Sequence, residues 1–105
     1  MSYTVIWTSE ALATFEDRIA YLNIHWTDKE ITNFKSRVKE YLNTLSETPF
    51  IGKKPGKLKD VYMGLIIRQV SIIYRIKRGS SQIELISFID NRQNPRKNRR
   101  YFSKR

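Results

Sequence analysis

The sequence predicts an α+β domain of order β-α-α-β-β-β, with an N-terminal helical hairpin packed on one face of a small, mainly antiparallel sheet. Three observations predict it. Two apolar stripes at helical spacing follow one another between Leu12 and Leu45. Strand-forming residues dominate from Leu65 to Ile89. The chain of 105 residues has room for one core, so helices and strands must share it.

The elements follow in order. Tyr3-Thr4-Val5-Ile6-Trp7 is rich in β-branched and aromatic residues and reads as a first strand. Thr8 or Ser9 then supplies an N-cap, because either hydroxyl can accept from an unpaired backbone N–H. Leu12, Phe15, Ile19, Leu22 and Trp26 recur at spacings of 3, 4, 3 and 4, one stripe of a helix. Thr27-Asp28-Lys29-Glu30 has the Thr-x-x-Glu form of a capping box. A second stripe follows in Ile31, Phe34, Val38, Tyr41, Leu42 and Leu45, and Pro49 lies beyond its end. With almost no linker between them, the two helices are expected to form an antiparallel hairpin.

Residues 51–60, Ile-Gly-Lys-Lys-Pro-Gly-Lys-Leu-Lys-Asp, read as a loop. It lacks the Gly-x-x-x-x-Gly-Lys-Ser/Thr spacing of a nucleotide-binding loop. Its lysines either contact phosphate or are simply solvated. Leu65 to Ile67 and Val70 to Lys77 read as a hairpin turning near Arg68-Gln69. Arg78-Gly79-Ser80-Ser81 is a turn, and Gln82 to Ile89 the last strand. The near-continuous apolar run Ile72-Ile73-Tyr74-Arg75-Ile76 fits a central strand buried on both faces.

Composition narrows the chemistry. There is no cysteine, hence neither a disulfide framework nor a thiolate metal site. His25 is the single histidine, and it reads as a surface or cap residue rather than a general base. No metal or cofactor is expected. No apolar run approaches the ~20 residues that span a bilayer, and no signal-peptide core is apparent. The default compartment is the cytoplasm, with no membrane partner.

Charge is lopsided. Residues 1–51 hold five basic and seven acidic residues, while residues 52–105 hold fifteen basic and three acidic. The two halves carry −2 and +12, which sum to the chain's +10. Seven of the last fourteen residues are Lys or Arg, so 92–105 forms a basic tail on the single domain. Such segregation suggests a scaffold half and a half that faces something anionic. The candidate target- or nucleic-acid-binding residues are Lys53, Lys54, Lys57, Lys59, Arg75, Arg92, Arg96, Lys97, Arg99 and Arg100. Arg75 has two readings, a sheet-face salt bridge or a ligand contact. Tyr101 and Phe102 either stack on a base or dock the tail.

The element order, the Ile-Ile-Tyr-Arg-Ile strand and the ending Phe88-Ile-Asp-Asn-Arg-Gln-Asn-Pro-Arg-Lys97 together resemble the RelE/ParE superfamily of bacterial type II toxins. The resemblance spans essentially the whole chain. It implies a toxin held inactive by an acidic antitoxin. RelE-type members cut mRNA on the ribosome without a metal, and ParE-type members poison DNA gyrase.

Cutting RNA through the 2′-hydroxyl needs a base, an acid and positive charge at the phosphate. Relatives that do so usually carry Arg three residues before the tyrosine matching Tyr74, where this chain has Ser71. Lysines expected on the preceding strand fall near Gly64 and Ile66, and a His-Tyr ending is replaced near Asp90-Asn91. Arg68, Arg92 and Tyr101 remain as substitute catalytic candidates. These departures favour a ParE-like growth inhibitor over an mRNA endonuclease. A basic nucleic-acid-binding module that is not a toxin is the third reading.

Overall fold

The structure is a computed structural model and describes residues 2–92. Four strands and two helices run in the order β1 (Thr4–Trp7), α1 (Ser9–His25), α2 (Asp28–Glu47), β2 (Val61–Ile67), β3 (Val70–Lys77) and β4 (Gln82–Asp90). The sheet order is β1-β4-β3-β2. The β1–β4 pair is parallel, with Thr4 opposite Gln82. The β4–β3 and β3–β2 pairs are antiparallel.

Both predicted caps form. The Thr8 hydroxyl accepts from the Ala11 N–H at 3.0 Å. Thr27 accepts from the Glu30 N–H at 3.3 Å, and Glu30 accepts from the Thr27 N–H at 3.1 Å, completing the capping box. Only Trp26 and Thr27 separate the helices, so the chain reverses at once. The second stripe lies inward, with Phe34 and Leu45 at 0% exposure and Val38 at 4%. Burying side chains of this size contributes about 1.5–3 kcal/mol each. They meet Ile72, Tyr74, Ile83, Leu85 and Phe88 of the two central strands.

The first helix keeps its predicted phase through Phe15, Ile19, Leu22 and Trp26, which pack on the core, and departs from it at Leu12 alone. Leu12 is exposed, and Ala11, one position earlier, is buried. Here α1 lies hard against β4. The Thr8 hydroxyl donates to the Leu85 carbonyl at 2.6 Å, and the Phe88 N–H donates to the Thr14 hydroxyl at 2.9 Å. Small and hydroxylated side chains fit that close approach, and Leu12 turns outward. Phe15 still packs inward, 5.3 Å from Phe88 and 5.7 Å from Phe34 between ring centroids.

Four boundaries also differ. The first strand begins at Thr4, because the Tyr3 N–H donates to the Ser46 carbonyl at the end of α2. The 51–60 segment is not wholly loop. A 3-10 turn covers Pro49–Ile51, and Lys53 forms an isolated antiparallel bridge with Met63. The second strand starts at Val61 rather than Leu65. Gly64 breaks its apolar pattern in the sequence, yet sits in the strand because the Tyr41 ring fills the space of a Cβ. Strand β4 runs one residue beyond Ile89, to Asp90.

The run through β3 is buried on both faces, as the sequence predicts. Ile72 and Tyr74 join the helix-side core, and Ile73 joins a smaller cluster with Val61 and Ile89. No helix among the described residues is long and apolar enough to cross a membrane.

Candidate functional site: the strand exit and the basic loop

Successive side chains of a strand point to opposite faces, and the last residues of β4 use both. Asp90 turns toward α1. Its carboxylate lies 3.4 Å from Arg18 Nη1. It also accepts from the Arg92 backbone N–H at 2.8 Å, from Arg92 Nε at 3.2 Å and from Arg92 Nη2 at 3.3 Å. The Asp90 and Arg18 side chains are 12% and 17% exposed, and Arg18 Nε is buried without a partner.

Burial pushes the Asp90 carboxyl up. The hydrogen bonds from Arg92 and the charges of Arg92 and Arg18 outweigh it, so its pKa ends below the ordinary carboxylate value. The Arg92 guanidinium is pushed up, first by its bond to Asp90 and then by one to Tyr21. It lies 5.3 Å from the Tyr21 ring centroid, and Tyr21 in turn packs against His25 at 4.4 Å.

Asn91 turns the other way. Its backbone N–H donates to the Gln69 carbonyl at 2.8 Å. Its Nδ2 donates to the Arg68 carbonyl at 3.0 Å, and its Oδ1 accepts from the Ser71 hydroxyl at 2.7 Å. The end of β4 is therefore tied to α1 on one side and to the β2–β3 turn on the other.

The basic loop is fixed at both ends. Tyr74 is fully buried, and its hydroxyl donates to the Pro49 carbonyl at 3.1 Å and accepts from the Gly52 N–H at 3.0 Å. Burial pushes the Tyr74 phenol far up, and the neighbouring Tyr41 adds to it. A side chain at residue 52 would collide with the Tyr74 hydroxyl and the Met63 carbonyl, so glycine is required there. This hold delivers Lys53 to its bridge with Met63, where two backbone hydrogen bonds of 2.7 and 2.9 Å form.

At the far end Asp60 adopts a left-handed backbone, φ 59°. Its carboxylate takes Arg78 at 2.9 and 3.0 Å, which pulls the carboxyl pKa down. Arg78 also lies 4.7 Å over the Phe50 ring, and Lys54 lies 5.6 Å over Tyr62. A cleft of about 470 Å³ joins the two regions, lined by Tyr41, Gly52, Lys53, Leu65, Ser71 and Asn91 among others.

The predicted site residues are thus partly brought together. Arg92 lies on the α1 side of the strand exit and Arg68, through its backbone carbonyl, on the other side with Asn91, and the cleft links Asn91 to Lys53. Lys57 and Lys59 are exposed in the loop beyond. Arg75 is exposed on the sheet face away from the helices, opposite Glu84, which itself pairs with Lys77 at 3.6 Å. His25 is an exposed helix-end residue. Arg96, Lys97, Arg99, Arg100 and Tyr101 lie outside the described residues. Among the described residues no group of His, Asp or Glu could hold a metal.

Sequence reasoning missed Arg18, Tyr21 and Asp90 as one cluster. One signal was present: Arg18 is the only Lys or Arg before Lys29, set three residues from Tyr21 on the same helix face.

A helical hairpin on one face of this sheet, with cations gathered around the strand exit and the edge loop, defines a class: the RelE/ParE-like toxins. The sequence matches the family model described as the ParE toxin of type II toxin-antitoxin system, parDE, over residues 5–95, and the chain belongs to that family.

Solved structures agree on the fold. A chain of the chromosomal ParDE system from P. aeruginosa superposes with a TM-score of 0.68 at 14% identity, covering 85% of this chain and 96% of that one. A chain of the RelBE2 toxin-antitoxin complex from Mycobacterium tuberculosis gives 0.61 at 16% identity, covering 87% and 100%. The YoeB/ParE toxin from Agrobacterium tumefaciens gives 0.58 at 16%, covering 84% and 98%. Among curated proteins no match was found.

Proposed function

We propose that this chain is a ParE-like growth inhibitor that acts on DNA gyrase and is neutralised by an acidic antitoxin. One observation carries the choice of target. Ser71, where RNA-cutting relatives are expected to place an arginine, is 3% exposed, and its hydroxyl is engaged by Asn91. On the preceding strand Gly64 is closed off by Tyr41, and Ile66 belongs to the helix-side core. The charge and proton-transfer groups that RNA cleavage needs are therefore missing from those positions.

A second reading, a ribosome-dependent mRNA endonuclease, has one observation in its favour. Arg75 stands opposite Glu84, which puts a cation and a carboxylate side by side on the sheet face away from the helices. The antitoxin reading rests on the family and on charge. The chain carries +10, and the M. tuberculosis neighbour comes from a toxin-antitoxin complex. An acidic partner gains rapid, salt-dependent encounter from such a surface.

The test pairs two assays on one purified preparation: gyrase supercoiling, and primer extension on mRNA translated in its presence. Inhibited supercoiling with intact mRNA is expected. Cleaved mRNA with unimpaired supercoiling would overturn the gyrase reading in favour of the endonuclease.

A further inference from the structure

A sheet edge is a row of backbone N–H and carbonyl groups that a further strand can use. In β2 this edge is closed over only part of its length. The Met63 N–H and carbonyl both turn outward and bond Lys53, at 2.7 and 2.9 Å. Backbone groups alternate along a strand, so those of Leu65, two residues on, face the same way. The residue that the register sets opposite Leu65 is Ile51, and it belongs instead to the 3-10 turn. Among the described residues nothing takes the outward groups of Leu65. We propose that this open edge is a docking site for an extended segment of the acidic antitoxin, which adds a strand beside β2 at Leu65. The proposal rests on the acidic partner of the proposed function.

The edge is shaped for alternating side chains. On the face away from the helices lies the cleft of about 470 Å³, with Ile51, Met63 and Leu65 in its wall and no carboxylate in its lining. On the helix side lies a second recess of about 240 Å³, lined by Arg37, Glu40, Tyr41, Thr44, Leu65 and Ile66. Leu65 borders both and is 63% exposed. An added strand points successive side chains to opposite faces. Apolar ones fill the cleft, and acidic ones reach Arg37, whose ion pair with Glu40 is exposed and long, 3.9 Å.

Charge selects the partner. From Thr48 to Ile83 the only carboxylate is Asp60, and Arg78 holds it. Lys53, Lys54 and Arg68 around the edge are exposed and have no ion pair among the described residues. An exposed leucine at an open edge invites indiscriminate pairing. The cations favour an acidic chain and repel a second copy of this one, which carries +10. The site is also preformed, because the Tyr74 hydroxyl holds Pro49 and Gly52 beside it. Little of this side of the interface then has to be ordered on binding.

The experiment uses the full chain and a fluorescent peptide of alternating Glu and Val, about eight residues, an ordinary strand length, read by anisotropy. Two further peptides carry N-methyl groups, one on every Val and the other on every Glu. In a paired strand only one of these sets of N–H groups faces β2. Their affinities are therefore expected to differ by at least about tenfold, the worth of one or two lost hydrogen bonds. Leu65→Ser is expected to bind the parent peptide about tenfold more weakly. In the wild-type complex the Leu65 amide is expected to become protected from hydrogen exchange.

Equal affinities for the two methylated peptides, or wild-type binding by Leu65→Ser, would overturn the edge site. Absence of binding at about 1 mM parent peptide would do the same. If Leu65→Ser loses its fold by circular dichroism, the methylated pair decides, since it leaves the protein untouched. A peptide with Gln in place of Glu that binds as tightly as the parent at low salt would instead refute the acidic partner beneath the proposal.

Discussion

Gly64→Ala is the smallest change that tests the packing beside the cleft. Gly64 is buried in β2, and an added Cβ would lie inside contact distance of the Tyr41 hydroxyl and ring, reaching Cε2 at 2.7 Å. Tyr41 is anchored on α2 and packs against the core that holds Tyr74, so the ring cannot swing away freely. Overpacking of this kind costs about 1–3 kcal/mol. Lifting the partly buried Tyr41 ring off that core adds about 1 kcal/mol. Reduced freedom of the unfolded chain returns about 0.4–1 kcal/mol.

The net expectation is about 1–3 kcal/mol, a fall in Tm on the order of 5–20 °C for a chain of this size. Thermal and urea melts followed by far-UV circular dichroism measure it. A double-mutant cycle with Tyr41→Ala should give a coupling of at least about 1 kcal/mol, because the smaller side chain makes room for the methyl. A Gly64→Ala protein that melts with wild type, or a coupling near zero, would refute the claim that Tyr41 occupies that space.

Val38→Ala should lower stability by about 1–3 kcal/mol without changing the urea m-value, through lost burial and a residual cavity; an unchanged midpoint would mean that α2 presents another face. Replacing Arg96, Lys97, Arg99 and Arg100 together with Gln should abolish growth inhibition in cells lacking antitoxin while leaving circular dichroism unchanged, and a folded, fully toxic variant would show the tail dispensable. Because the Asp90 pKa is depressed in the folded chain, its contribution is present above the ordinary carboxylate value of about 4 and is lost as pH falls through the lower folded value. Wild type should therefore lose its stability advantage over Asp90→Asn below about pH 4, and a constant difference down to pH ~2.5 would exclude the ion cluster as its source.

The helices and the central strand were legible because their signals are periodic and local. Thr27 and Glu30 announce a helix start by chemistry that needs no tertiary context. Ile72 to Ile76 could scarcely be anything but an interior strand. What escaped was set by partners distant in sequence. Leu12 looked inward until α1 met β4 too closely to admit it. The strand start at Val61 was missed, and the Tyr41 ring that fits against Gly64 within it lies twenty-three residues earlier.

The candidate site divides the same way. Composition marked Lys53 to Lys59 and Arg92 as cationic surface, since clustering is visible in one dimension. It did not reveal that Ser71 and Asn91 face one another, because the pairing of β3 with β4 decides that.

The parallel pairing of β1 with β4 has a consequence for synthesis. Thr4 finds its partner only when Gln82 has been made, so the earliest strand waits for most of the chain to leave the ribosome. Until then the helical hairpin carries its apolar face without the central strands that cover it. Closing so long a loop before the contact forms is slow by nature, and an emerging chain in this state is a substrate for chaperones and proteases. Cells making this protein therefore pass through an interval in which it has been largely translated and is not yet assembled, and any neutralising partner has that interval in which to arrive.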